Sequence, residues 1–395
     1  MNIKTTLKSS VAAAALFAIA APVAPSVNAA DDTLKSGNKN SLTISGYVAR
    51  ALWYADDGRS DSVFNSDGST STSRIRWVAS GTMNENVTAG SMVELAFPRS
   101  NNQALLGLSG TLAAGLGDGP ETADSAFAIR HTFVWVNHKK MGKISLGQTN
   151  AASNGRAETS FSATTMADLS SGTPLGDGIQ FINTDNAAGS ISGVTVGSAF
   201  TNLDGRGRTD VLRYDTPRFA GLSLATSYIA GGDWDIAADY QTKTGAVRVR
   251  VQAQYNNAEA GQSIGDNTIT TSDWAVSAAA LHDGGLNGSA AFGRRDLGGE
   301  GQTASRSDPY FTNFTLGYRA KIFSAGGTNF SFNWNHTEDL AADNSEGDAI
   351  GFTVAQIFSS IGANMAFIYR NYSFDTTTST FDDVDIFGLQ TVFNF

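Results

Sequence analysis

Arginines stand two residues apart in Arg74-Ile-Arg76 and Arg248-Val-Arg250, and others sit in similar patterned runs at Arg130, Arg213, Arg319 and Arg370. Fixed guanidiniums supply no nucleophile and no acid–base pair. A row of them sets up a standing positive potential that attracts or orients charged solutes. Groups suited to covalent or metal chemistry are scarce: the chain has no cysteine, so disulfides and thiolates are excluded. The four histidines, His131, His138, His282 and His336, lack metal-ligand spacing. No Gly-x-Ser-x-Gly elbow, phosphate loop or cysteine–histidine pair is present, and Gly205-Arg-Gly207 is too slight for a nucleotide loop. His336 with Glu338 and Asp339 is where a protease would be sought, but acids at the rim of a β structure are common. The expectation is no enzyme, no cofactor and no metal.

The elements that carry these arginines alternate. In Val247 to Asn256, Val247, Val249, Val251, Ala253 and Tyr255 take one face, and Arg248, Arg250, Gln252, Gln254 and Asn256 the other. Trp234 to Gln241, Tyr310 to Arg319 and Phe330 to Asn335 repeat the pattern, and a period of two is that of a β-strand. The last strand, Asp383 to Phe395, alternates and stops on an aromatic carboxy terminus. At the other end Lys4 and Lys8, the apolar run Val11 to Ala21 and Val27-Asn28-Ala29 read as an export signal cleaved after Ala29. Residues 30–40 form a short lead, and 41–395 read as one domain. Exported strands ending on Phe point to an all-β fold, a transmembrane antiparallel up-and-down β-barrel of the outer membrane.

Alternation gives about sixteen strands, from Ser41–Tyr54 to Asp383–Phe395, which pair to seal the sheet and remove the edge that lipid forbids. Tight turns at Asn84-Glu-Asn86, 138–142, 216–221, 243–245, 283–285, 324–327 and 359–362 alternate with longer connections, except at Gly231-Gly232. The five prolines after the signal avoid strand interiors. Aromatics near strand ends suggest two girdles: Trp53, Tyr54, Phe97, Phe127, Tyr228, Trp234 and Tyr372 toward the long loops, and Phe219, Phe323, Phe330, Phe358 and Phe395 toward the turns. A soluble β-sandwich would show the same period with the faces reversed. Removing the signal takes Lys4 and Lys8 and no acid, moving the formal charge from −10 to −12 and arguing against nucleic acid as a partner.

In a barrel the apolar faces meet lipid, and parity then turns Arg74, Arg76, Arg130, Arg213, Arg248 and Arg250 into the lumen. An arginine facing mid-membrane lipid would cost roughly 2–4 kcal/mol. The stretch Thr149 to Thr209 is the longest connection and too long to be idle in a compact domain. Its acids Glu158, Asp168 and Asp177, with Pro174-Leu-Gly-Asp-Gly178 as a turn, are candidates to face the arginines. Ile179–Asn183 and Ile191–Phe200 alternate weakly, as an extra hairpin would.

Three segments resemble the Gram-negative general porins. Arg130-His-Thr-Phe-Val-Trp-Val-Asn followed by Met141-Gly-Lys-Ile-Ser-Leu-Gly-Gln148 is similar to that family's arginine-led hairpin. Leu212-Arg-Tyr-Asp-Thr-Pro-Arg-Phe-Ala-Gly-Leu222 is similar to its Arg-Tyr-Asp-Ser-Pro turn, and the last strand with terminal Phe395 completes the set. The resemblance implies a trimeric sixteen-stranded barrel in outer-membrane lipid, each subunit a water-filled channel for ions and small hydrophilic solutes, narrowed by a long inward-folded constriction loop within 149–209. It also implies that arginines face loop carboxylates across the pore, with Arg74, Arg130 and Arg213 matching best, and that the barrel-assembly machinery reads Phe395. Gln148, where the family usually has arginine, implies a missing rung. A substrate-selective porin for sugars, phosphate or carboxylates is the main rival; an adhesin or a soluble secreted β protein is more distant.

Overall fold

A chain in lipid must satisfy every backbone group internally, and alternating rather than continuous apolar runs leave one way to do it: a sheet closed on itself. The computed structural model describes residues 34–35, 40–68, 72–97, 127–166, 175–185, 190–264, 268–298 and 306–395. The expected export signal and Asp168 lie outside them. Sixteen strands follow one another round the barrel: β1 Ser41–Asp56, β2 Arg74–Asn84, β3 Val87–Ala96, β4 Ala128–His138, β5 Gly142–Asn150, β6 Arg208–Asp215, β7 Leu222–Ile229, β8 Trp234–Thr244, β9 Val247–Ile264, β10 Thr268–His282, β11 Leu286–Leu297, β12 Tyr310–Phe323, β13 Gly326–Glu338, β14 Ser345–Phe358, β15 Ala363–Thr376 and β16 Val384–Asn394. Each is antiparallel to its neighbours. β16 returns to β1, with Tyr47 opposite Asn394 and Asp56 opposite Asp385. Phe395 extends this seal, its N–H and carbonyl both bonded to Gly46 at 3.0 and 2.9 Å.

The faces divide as alternation requires. On β7, Leu222, Leu224 and Tyr228 are exposed while Ala225, Ser227 and Ile229 are buried. On β16, Phe387, Leu389 and Phe393 point out, and Gln390 is 2% exposed on the inside. Apolar outer rows of this kind would be penalised in water at about 25 cal/mol per Å² and are not in lipid. Among the described residues no helix is long and apolar enough to cross a membrane.

Three features go beyond alternation. Residues Asp61–Ser66 form a short strand on the upper half of β1, which frees that half from β2. β9 and β10 run on as paired strands as far as Ile264 and Thr268, so their connection is short where a long one was expected. The weakly alternating segment is a hairpin, Gln180–Asn183 with Ser190–Thr195, followed by a helical turn Val196–Ala199 that Thr195 caps.

The inner face is not uniformly polar. Leu175, Ile179, Phe181, Val196 and Phe200 from the long connection pack on Trp53, Ile368, Tyr372, Phe374 and Ile386 of the wall. Trp53 and Tyr372 therefore leave the outer girdle to which their height on the strand assigned them: they are 0% and 1% exposed and face inward. Trp53 lies flat over Gly388, where an added Cβ would come within 1.8 Å of the ring, and its Nε1 donates to Ser66 Oγ at 2.9 Å.

Candidate functional site

Charged side chains gather at three places inside the barrel. The first is on β2–β4, where three guanidiniums converge on one carboxylate. Arg74 Nη1 lies 3.3 Å from Glu94 Oε1, Arg76 Nε donates to Oε2 at 2.7 Å, and Arg130 Nε donates to Oε1 at 2.8 Å. Glu94 is fully buried, and Arg74 also lies over the Tyr47 ring at 4.9 Å. A charge taken from water is tolerated when paired and hydrogen-bonded, and here three cations surround one anion, leaving the group net positive. Arg130 joins through a bulge: Glu94 pairs with His131 and Leu95 with Ile129, so Arg130 is the extra residue. Strict alternation from Arg130 would have turned Val134 and Val136 inward, whereas they are 55% and 49% exposed on the outer face.

Sequence reasoning missed Glu94 because it sought the counter-charges in the long loop. The signal was available in the tight turn at Asn84–Asn86: counting back from it sets Arg76 opposite Glu94, as observed.

The second place is the loop itself, whose described residues 151–166, 175–185 and 190–207 fold inside the barrel along its wall. Ser153 N–H donates to Asp235 Oδ2 at 2.8 Å on β8, and Ser277 Oγ on β10 donates to the Arg156 carbonyl at 2.6 Å. Further round, Arg319 Nε on β12 donates to the Phe161 carbonyl at 2.5 Å, Thr164 Oγ1 meets Ser331 Oγ on β13 at 2.9 Å, and Gln390 Nε2 on β16 donates to the Met166 carbonyl at 2.7 Å. The returning limb is held by Thr337 Oγ1, which donates to the Ala199 carbonyl at 2.7 Å, and by Gln254 Nε2, which donates to the Leu203 carbonyl at 3.1 Å. Its hairpin pairs with the rim at Phe381.

The family now becomes visible from outside the chain. A family profile described as Gram-negative porin matches residues 10–377. The chain belongs to the Gram-negative porin family. Its function is accordingly that of a channel in the outer membrane. Among solved structures, in-vitro folded OmpT of Vibrio cholerae aligns at 12% identity over 92% of this porin and 100% of that chain, TM-score 0.58. The anion-selective porin from Comamonas acidovorans aligns at 12% identity over 90% and 100%, TM-score 0.58. Salmonella typhi OmpF in complex with daunomycin aligns at 14% over 90% and 98%, TM-score 0.52. At such identities the likeness is one of fold. Sequence comparison with curated proteins finds no match.

The porin's third charged group lies where the loop's first limb meets β6, β8, β9 and β12. Arg250 grips Asp239 with Nε and Nη2 at 3.1 and 3.0 Å, and Arg218 from the turn joins it at 2.9 Å. Arg248 stacks over Phe161 of the loop at 6.0 Å, with Arg319 beside it. Arg156 of the loop is buried; with the Gln252 amide oxygen turned toward them, Arg156 Nη1 and Arg250 Nη2 donate to it at 2.7 and 3.1 Å. Burial first, and then the charge of Arg213, lowers the Arg156 pKa to about 10. Arg213 is inside too but 1% exposed: it bonds Asp215 and donates from Nη1 to the Asn150 and Ala151 carbonyls at 3.0 and 2.9 Å. It fastens the start of the loop.

Of the described loop acids, Glu158 and Asp177 form no ion pair with the β2–β4 arginines, and the charge nearest Glu158 is that of Arg208. Glu158 Oε1 accepts from Asn202 Nδ2 at 2.8 Å, and Asp204 accepts from the Gly155 N–H at 2.8 Å and the Ala157 N–H at 3.3 Å, so both join the two limbs of the loop. Burial raises the Glu158 pKa to about 7, and burial with the Glu158 charge raises that of Asp204 as well. Asp177 is raised to about 6 by burial, and its Oδ1 finds no donor among the described residues. Gln148 points outward, opposite Thr132 and Asp210, and donates to the Ile129 carbonyl at 2.9 Å. Its identity removes no rung from the lumen, because alternation with the exposed Ile144 and Leu146 places that position on the outer face.

Proposed function

We propose that the porin is a passive diffusion channel for small hydrophilic solutes with a preference for anions. The observation that carries this reading is the group Arg156, Arg248, Arg250 and Arg319 on one side of the lumen, where Asp239 is shared between Arg250 and Arg218. The Arg74, Arg76 and Arg130 node, with Glu94 as its single carboxylate, adds to it from another part of the wall. Among the acids of the loop, Glu158, Asp177 and Asp204 are all held toward their neutral forms by burial. A structural neighbour described as anion-selective agrees with this direction.

Arg76, Arg130 and Arg250 line the water path in this reading, since their side chains keep 26%, 19% and 17% exposure, whereas Arg74 and Arg213 hold the wall and the loop. The loop 151–207 is the constriction. Subunits assemble as homotrimers, as one similar structure described as a trimer does. The chain is exported with cleavage after Ala29, and the assembly machinery recognises the strand that ends on Phe395. Liposome swelling tests the selectivity. Vesicles bearing the porin should admit a small monocarboxylate faster than a primary ammonium ion of the same size, and the reverse order would contradict the proposal.

A further inference from the structure

On the outside of the barrel, at the long-loop rim of β13 and β14, lies a cluster that the channel does not use. His336 and Glu338 alternate on β13, Glu346 and Asp348 on β14, and the register sets His336 directly opposite Asp348 and Glu338 directly opposite Glu346. All four are in phase with Phe332, Ile350 and Phe352, which are exposed on the outer face. Asp375 of β15 stands opposite Glu346 in turn. Glu338, Glu346 and Asp375 thus form a row across three strands, with Cβ atoms about 5 Å apart, in which like charges oppose one another and destabilise the sheet.

The donor atoms converge. His336 Nδ1 is 3.2 Å from Asp348 Oδ1 and 3.9 Å from Glu346 Oε1, and the ligand atoms of the three residues lie within 4.8 Å of one another. With metal–donor bonds of about 2.0–2.2 Å, donors in a tetrahedral shell sit roughly 3.4 Å apart, so the set closes on an ion with shifts of about an ångström. The surroundings hold His336 and Asp348 in place, and Glu346 reaches in from the exposed side. On the far side of the ring, His336 Nε2 lies 3.3 Å from Glu338 Oε1; an Nε2–H donated to that carboxylate leaves the Nδ1 lone pair for an ion. The imidazole stacks on Trp334 at 5.7 Å and 17°, with Tyr310 at 6.2 Å. Trp334 Nε1 donates to Asp348 Oδ1 at 2.9 Å and so orients that carboxylate.

We propose that His336, Glu346 and Asp348 bind one divalent transition-metal ion of the zinc class and clasp β13 to β14 at the outer rim. An imidazole among the ligands suits such ions, whereas magnesium and calcium favour oxygen alone. The ion also neutralises the row of opposed carboxylates. The linear sequence hides the site, because one ligand comes from β13 and two from β14 on the other side of the connection 339–344.

The test is titration of the folded, detergent-solubilised porin with zinc chloride by calorimetry, and with cobalt chloride by visible absorption. The wild type should bind one zinc per chain and show cobalt ligand-field bands. His336→Ala should lose the bands and bind zinc more than tenfold more weakly; Trp334→Phe, which keeps the stack and removes the N–H, should weaken zinc about tenfold, as loss of a supporting hydrogen bond does. If His336→Ala fails to form a heat-modifiable barrel, Glu346→Gln provides the same reading. Absence of saturable zinc binding by the wild type, or zinc binding unchanged in both ligand variants, would overturn the proposal. So would magnesium binding as tightly as zinc, since that marks only an acidic surface.

Discussion

Arg130 Nε donates to Glu94 Oε1 over 2.8 Å from a bulge that gives β4 one residue more than β3 at that level. The extra residue lets two consecutive positions, Arg130 and His131, serve the interior while Val134 and Val136 still meet lipid. Glu94 thereby holds three guanidiniums in one cluster on the wall.

Replacing Glu94 by Gln should leave those cations facing a neutral amide. Removing one partner of a buried charged group costs about 3–5 kcal/mol. The variant is expected to lose its compact gel migration at a lower temperature than the wild type and to conduct anions still more selectively. A barrel as heat-stable as the wild type would show that the cluster is solvated rather than held by Glu94.

Arg250 and Arg213 should separate in their effects although both face inward. Arg250→Ala removes a partly exposed lumen charge and should move the reversal potential toward cations. Arg213→Ala should change selectivity less and instead loosen the start of the inner loop, since its Nη1 holds the Asn150 and Ala151 carbonyls. Single-channel records should then show more frequent brief closures. Equal shifts of reversal potential in the two variants would contradict this division.

The loop acids predict a pH response. An acid whose pKa is raised on folding favours the ordered loop at low pH, and that contribution is lost as pH rises through the folded value. For Glu158 the window runs from its ordinary value of 4.5 to about 7. Lowering the pH from 8 to 5 should protonate Glu158, tighten the junction of the two limbs and make the pore more anion-selective, with the change centred near 7. Glu158→Gln should remove that step. A titration centred near 4.5 in the wild type would place Glu158 in water.

How much of this could be read from the residues follows from what a period of two reports. It reports which side chains share a face, so the sixteen strands, the seven turns and the closure of β16 on β1 were legible. The register of a tight hairpin was legible too, and would have given Arg76 its partner. Alternation is silent on what covers the inner face. Trp53, Tyr372 and Ile386 look misplaced there until the loop's Ile179, Phe181 and Phe200 are seen to pack on them. It is equally silent on an inserted residue: the bulge at Arg130 depends on a local slip that the residue types do not announce. Contacts between the loop and the wall join residues far apart in sequence, such as Met166 with Gln390, and no short pattern encodes them.

The carboxy terminus gives a further prediction. Phe395 closes the seam through two backbone bonds to Gly46, and its ring lies where a side chain at position 46 would stand. Deleting Phe395 should reduce the amount of assembled barrel in the outer membrane. An unchanged yield of heat-modifiable protein would remove the terminal residue from the account of assembly.

Whether the lumen's arginines outweigh its acids is measured by the zero-current potential of the reconstituted porin in a tenfold potassium chloride gradient at pH 7. The dilute side should become negative, because chloride crosses faster than potassium. A dilute side that becomes positive would contradict it.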